Sequence, residues 1–390
     1  MTEQNYPFID EEWQAFIHAV KTDDVSLAQS LYPKLKIKHR YEAFDFVKSE
    51  DMAELLLSCG EVIRPEAPYQ RSQLFGCAPG MAQFFIDQGL SPRHSSGEYG
   101  RIGGTQALHF AQGRKNVETL IKHDGFFENA IFDVPCLEAA QALLEYDRNP
   151  QYTDRNKQSA LHSQMKHPKI AHLLVENGWD IHQKDIHLET PLFYHIYAHL
   201  VAARTQELWE QHFTTLRDFL ARGAALCILN FEGRNVLHKI AEQPDFHEGY
   251  IQRGIRMDEE HIQELVSFLC QNGLNVNMWD QCRRTPFHLM QTEKVARALI
   301  KQGADLNIQD EFGDTPLHAA TDSAIVQALL NAGADADIKN SLGKLPCEEA
   351  DSKGFTEKAA LIRQTRITRL QEKMEKDFNN GQASRKEFKM

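Results

Sequence analysis

The feature that most limits how this chain folds is a repeat thirty residues long. The stretch "EFGDTPLHAATDSAIVQALLNAGADADIKN", Glu311 to Asn340, follows a near copy, "DQCRRTPFHLMQTEKVARALIKQGADLNIQ", that starts thirty residues before Asp310, at Asp280. Looser copies stand at "DIHLETPLFYHI" from Asp185, "NFEGRNVLHKIA" from Asn230, "DRNKQSALHSQM" from Asp154 and "GGTQALHFAQ" from Gly103, and an eroded one at "SLGKLPCEEA" from Ser341. A period of this length belongs to a solenoid, whose units are each too small to bury their own apolar face and take their interior from their neighbours.

Local signals say what one unit looks like. Thr315 is an N-cap type and Pro316 follows where a missing N–H does no harm, so a short helix begins there. Leu317 and Ala320, then Ile325, Val326, Leu329 and Leu330, recur at three- and four-residue spacing and mark two helices with an apolar stripe each. Gly333 ends the second, because a residue without a β-carbon enters the left-handed turn cheaply. "ADADIKNSLG" then supplies turn formers before the next unit.

The second-helix signature extends the array towards the amino terminus, ending at Gly60, Gly89, Gly125, Asp147, Gly178, Gly223, Gly273, Gly303 and Gly333, about nine units. The segment around Trp13 reads as a divergent first one. Asp147 follows Gly125 too soon for a full unit, and the steps to Gly223 and Gly273 are too long. They hold insertions at about 194–215, with helical spacing that lengthens both helices of its unit, and at about 242–262, a loop leading into a helix near Asp258.

These segments resemble the ankyrin repeat, D-x-x-G-x-T-P-L-H-x-A-A followed by V-x-x-L-L-x-x-G-A-D, most closely over Asp280 to Lys339. The resemblance implies a mainly α fold, an ankyrin-repeat solenoid of stacked helix-turn-helix units joined by β-hairpin-like loops. The expected organisation is divergent repeats over 1–100, repeats with the insertions over 101–355, and a C-terminal capping helix with a mobile basic tail over 356–390. In that tail Ile367, Leu370, Met374 and Phe378 share one helical face and are expected to shield the last repeat.

Bulk properties narrow the function. With 42% hydrophobic and 25% charged residues the chain has material for a packed interior. Its net charge of −12 argues against binding nucleic acid, which needs clustered Lys and Arg. The excess is uneven: residues 351–390 hold ten basic and six acidic residues, leaving −16 for residues 1–350. Seven scattered cysteines form no CxxC pair, the amino terminus lacks the pattern of a secretory signal, and no apolar run approaches a membrane span, so a cytoplasmic protein, monomeric and without membrane contact, is expected.

Eighteen histidines invite a metal or catalytic reading. His109, His162, His238, His288 and His318 fall on the His of T-P-L-H, which the resemblance makes a structural link between neighbouring units. An alternative site, enzymatic or metal-binding, gathers His187, His195, His199, His247 and Glu248 in or near the insertions. No phosphate-binding loop, GxSxG elbow or HExxH occurs, and neither a cofactor nor a metal is expected.

What remains is a surface. Positions the repeat pattern leaves free face outward from the turns and the concave side: Ile186, His187, Glu189, Phe231, Glu232, Arg234, Gln281, Cys282, Arg284, Glu311, Phe312 and Asp314. Aromatics flanked by charges have the composition of a protein-binding hot spot. The expected function is therefore non-catalytic protein–protein interaction, with a basic partner steered by the acidic surface. Divergent repeats without an added domain are similar to stand-alone bacterial ankyrin proteins, which implies an effector or immunity role. A self-assembling scaffold is the other alternative.

Overall fold

The computed structural model describes residues 11–35, 47–59, 77–88, 90, 95–96, 105–106, 111–123, 130–146, 148–200, 203, 205–243 and 258–387. The chain divides into two compact units, Met1–Asp180 and Ile181–Met390.

The first unit holds α1 (Glu11–Thr22), α2 (Val25–Leu31), α3 (Glu50–Ser58), α4 (Ala82–Asp87), a two-residue antiparallel pair β1 (Ser95–Ser96) and β2 (Thr105–Gln106), α5 (Gly113–Lys122), α6 (Leu137–Tyr146), α7 (Ala160–Gln164) and α8 (Pro168–Glu176). Its principal packing runs between neighbours along the chain: α1 on α2, α2 on α3, α4 on α5, α5 on α6, α6 and α7 on α8. Trp13, Phe16 and Tyr32 form the aromatic centre at the α1–α2 end, with ring centroids 5.5 and 5.6 Å apart. Farther along, buried carboxamides tie neighbouring helical pairs. Asn116 on α5 accepts from the Gly80 and Ala82 amides and donates to the carbonyls of Cys77 and Ala78, and Gln164 on α7 donates to those of Ile131 and Val134. The donor groups of both are thereby satisfied in the interior, and the bonds set how neighbouring helical pairs meet.

The second unit holds α9 (Pro191–His195), α10 (Gln206–Ala221), α11 (Val236–Ala241), α12 (Glu259–Gln271), a 3-10 turn at Pro286–Leu289, α13 (Glu293–Lys301), α14 (Pro316–Ala319), α15 (Ser323–Asn331), α16 (Pro346–Ser352) and α17 (Thr356–Glu387). First helices pack along one layer and second helices along another: α11 and α14 flank the 3-10 turn, while α12, α13, α15 and α17 follow one another. Both units are mainly helical, and within each the neighbouring helix pairs pack on one another as in a solenoid.

Second helices stop where Gly223, Gly273, Gly303 and Gly333 adopt positive φ. The next position in this series, thirty residues on, is Arg363, and α17 has no such stop; it runs through to Glu387. It is the second helix of the last unit, prolonged. In the first inserted region, α9 continues as a π-helical turn over Ile196–Leu200 and α10 has 16 residues against nine in α13 and α15. In the second, Asp258 caps α12 by accepting from the His261 amide; residues 244–257 lie outside the described residues.

The C-terminal helix corrects one expectation. Its buried positions are Lys358, Ala359 and Ile362, whereas Ile367, Leu370 and Met374 are exposed. The apolar spacing predicts a covering face, but the last repeat is closed by the helix's first two turns and by cations. The tail expected to be mobile beyond Phe378 continues, through Glu387, as helix.

Candidate interaction surface

Five-residue turns precede the first helices, and all are built alike. The first residue is Asp154, Asp185, Asn230, Asp280, Asp310 or Asn340, and its Oδ1 accepts the amides two and four residues on at 2.8–3.1 Å. Short Asp and Asn side chains are suited to this, because they reach their own backbone. The fourth residue has positive φ: Gly233, Gly313 and Gly343, but also Lys157, Leu188 and Arg283.

Successive turns are bonded to one another. In the second unit the amide of each turn's second residue donates to the carbonyl of the preceding turn's third: Phe231 to His187 (2.9 Å), Gln281 to Glu232 (3.0 Å), Glu311 to Cys282 (3.1 Å) and Ser341 to Phe312 (2.9 Å). At the base of the turns a second series appears, in which the Asp305 amide donates to Asn277 Oδ1 and the Asp335 amide to Asn307 Oδ1, each at 2.8 Å.

Histidines complete the links. Nδ1 of His288 and His318 accepts the Thr285 and Thr315 amides at 3.1 Å, and Nδ1 of His238 accepts the Asn235 amide at 3.2 Å. Nε2 donates to the fifth residue of the next turn, His238 to the Arg284 carbonyl (3.0 Å), His288 to Asp314 (3.1 Å) and His318 to Lys344 (3.2 Å). One nitrogen accepts and one donates, which is the neutral ring. Burial accordingly holds all three below the usual histidine range, His238 at about 4. His162 reaches back in the same way to the Ser159 amide, and His109 lies outside the described residues.

Residues 256–340 match a family model for ankyrin repeats, in three copies. This stretch is a run of ankyrin repeats. The human ASB11 ankyrin repeat domain is similar at a TM-score of 0.43 and 21% identity, over 57% of this chain and 91% of that one. No curated protein sequence matches.

Along the row of turns the twelve candidate residues separate into two groups. Ile186, His187, Phe231, Gln281, Glu311 and Phe312 are exposed on the turns, with Phe231 at 51% and Phe312 at 63%. The His187 and Phe231 rings lie 5.5 Å apart, so neighbouring tips touch. Exposed apolar side chains that the sequence reading passed over join them: Leu188, Leu342, and Trp279 with Arg283 over its ring at 5.2 Å.

The other group is turned inward. Glu189, expected at the surface, is only 5% exposed and accepts from Tyr197 Oη (2.7 Å) and Asn230 Nδ2 (3.2 Å). Arg234 and Arg284 converge on Asp280 Oδ2, at 3.3 Å and 2.9 Å from their nearest donors, and Arg234 also binds Glu232 and Glu242. Burial works against a charge on Asp280, but hydrogen bonds from the Arg284 amide and both guanidinium groups outweigh it and hold the carboxyl below its ordinary range. Arg234 thereby joins adjacent repeats, while Arg284 closes its own turn. Asp314 accepts from Asn340 Nδ2 (2.8 Å), and Cys282 is partly covered, its thiol raised by a hydrogen bond to Glu311.

The alternative metal or enzymatic site does not assemble from the residues described. His195 is buried and donates from Nε2 to the His212 carbonyl at 3.1 Å, while His187 lies against Phe231 at the turn tip. His247, Glu248 and the side chain of His199 lie outside the described residues, among which no cluster of three or more His, Cys, Asp or Glu is arranged to hold a metal. No helix among the described residues is long and apolar enough to cross a membrane.

Proposed function

We propose that this protein is a non-catalytic interaction module that holds another protein along its row of turns and the adjoining concave side. Ankyrin repeats are in general protein–protein interaction modules, and one observation carries the reading for this chain. Large apolar side chains project from four of the five turns described in the second unit, at Ile186, Leu188, Phe231, Phe312 and Leu342, although the backbone that presents them is fixed by hydrogen bonds. A pre-ordered backbone lowers the entropy cost of docking, and exposed aromatics supply the apolar contact area.

The net charge of −16 over residues 1–350 favours a basic partner and an association rate that falls with added salt. Seven unpaired cysteines suit a reducing compartment such as the cytoplasm. The decisive experiment is affinity capture from the source cells with the wild type and with Phe231→Ser/Phe312→Ser. Arg234 and Arg284 are left intact because Arg234 holds two repeats together and Arg284 closes its own turn. A partner retained by the wild type and lost by the folded double variant supports the reading; one retained equally by both contradicts it.

A further inference from the structure

The row of turns ends at Asn340–Lys344, and it ends differently from the helix layers. Those layers are closed by α17: Lys358 Nζ donates to the His318 and Ala320 carbonyls, Arg369 to those of Leu330 and Ala334. The base of the turns is closed too, by Arg366 on Asp337.

The tip is open. Each earlier turn in the second unit offers its third carbonyl to an amide of the next, His187 to Phe231, Glu232 to Gln281, Cys282 to Glu311 and Phe312 to Ser341. Leu342 holds the same place in the last turn, and among the described residues no donor reaches its carbonyl. Its side chain is 75% exposed, one residue along from the amide bonded to Phe312. An extended backbone laid against this edge continues the ladder by one rung and meets two large apolar side chains.

Charge says what the added segment carries. Between Lys301 and Lys339 the sequence has seven acidic residues and no Lys or Arg. In the two preceding repeats the carboxylates are answered internally, Asp280, Glu232 and Glu242 by Arg234, Arg284 and Lys239. Near Phe312 they are not: Asp310, Glu311 and Asp314 have no ion-pair partner among the described residues, and only Asp337 does, in Arg366.

We propose that the open end of the turn ladder is a docking site for an extended, cationic segment of another protein. Its amide donates to the Leu342 carbonyl, an apolar side chain lies over Phe312 and Leu342, and Lys or Arg faces Glu311 and Asp314. The proposal rests on the protein-binding reading and adds the place and the chemistry of the partner.

The test uses the full chain and a fluorescent peptide of about ten residues alternating Lys and Leu, followed by anisotropy. Leu342→Ser and Phe312→Ser are each expected to weaken binding about tenfold or more, as is N-methylation of alternate peptide amides, which removes the donors. Ile367→Ser, an exposed apolar position on α17, is expected to leave it unchanged, and a Glu–Leu peptide is expected not to bind. Several results overturn the proposal: no binding of the Lys–Leu peptide, equal binding of the N-methylated one, loss through Ile367→Ser, or a concentration-dependent dimer abolished by Leu342→Ser, which makes the occupant a second copy. If a captured partner depends on Phe231 and Phe312 while Leu342→Ser binds the peptide as the wild type does, this proposal fails and the general one stands.

Discussion

Arg366 Nε donates to Asp337 Oδ1 at 2.6 Å, in the place where the two preceding units use a backbone amide. The acceptors at 277, 307 and 337 are Asn, Asn and Asp, and their donors are the Asp305 amide, the Asp335 amide and a guanidinium. The acceptor becomes charged where the donor does. A helix prolonged past its expected stop thereby stands in for a further repeat, which a terminal unit needs if its edge is not to be left unpaired.

Removing that stand-in weakens the terminal unit. Arg366→Leu is expected to cost about 1 kcal/mol, because the pair is partly exposed, and Arg369→Leu about 1–2 kcal/mol, because two carbonyls lose their donor. Urea denaturation reads the loss, and faster hydrogen exchange confined to α15 and α16 locates it.

Two glycines with nearly the same φ should respond differently. Gly313 has φ +75, and a β-carbon there meets the Ser341 amide nitrogen at 2.6 Å; Gly343 has φ +74 and nothing within 4 Å. Gly343→Ala is expected to cost about 1 kcal/mol for the left-handed conformation alone, and Gly313→Ala about 3 kcal/mol because the bonded turns must also separate. Denaturation midpoints of the two variants decide this.

The converse holds at Leu188, a non-glycine at φ 63 whose side chain is exposed. Leu188→Gly is expected to stabilise the fold by about 0.5–1 kcal/mol, the relief of strain being partly offset by the unfolded chain's greater freedom. A lower melting temperature runs against that expectation.

Acid should act through the linking histidines. His238 is held at about 4, and His288 and His318 are also lowered, so the unfolded chain takes up protons before the folded one does. Their contribution is fully present above the ordinary value of 6.5 and is lost as pH falls from there towards 4. NMR titration should show the His238 ring neutral at pH 5, with stability declining across the same interval.

Lys358 has the opposite consequence at alkaline pH. Burial, with Lys353 adding repulsion, lowers it from 10.5 to about 8. Below pH 8 both states hold the proton and the folded state bears the full cost of a buried ammonium; between 8 and 10.5 only the unfolded state holds it, so folding is favoured as pH rises. The stability of the wild type relative to Lys358→Met should therefore increase across that range, as followed by denaturant titrations in parallel.

The sequence displayed the repeats best where local chemistry dictates structure. Thr315, Pro316 and Gly333 act within a few residues of themselves, and so do the Asp and Asn that open each turn. The role of Arg234 was hidden because its partner Asp280 belongs to the next repeat and is set by stacking, and that of Glu189 because Tyr197 sits on an inserted π turn; only Arg284, with Asp280 four residues back in its own turn, has a partner within reach of spacing. On α17 the apolar positions Ile367, Leu370 and Met374 look like a buried face, yet they are exposed, and the contacts the helix makes there come from Arg366 and Arg369 instead. Leu188, Trp279 and Leu342 were missed for the opposite reason: a single apolar residue in a turn carries no periodic signal.

Hydrogen exchange at the amides of Gln281, Glu311 and Ser341 tests most directly whether the turns form a bonded row that fixes the docking side chains. The structure predicts slow exchange at all three, with about 100-fold protection or more, because each donates to the preceding turn. Exchange at the rate of a free amide while α12, α13 and α15 remain protected would mean that the turns are independent loops, and the ordered surface would not exist.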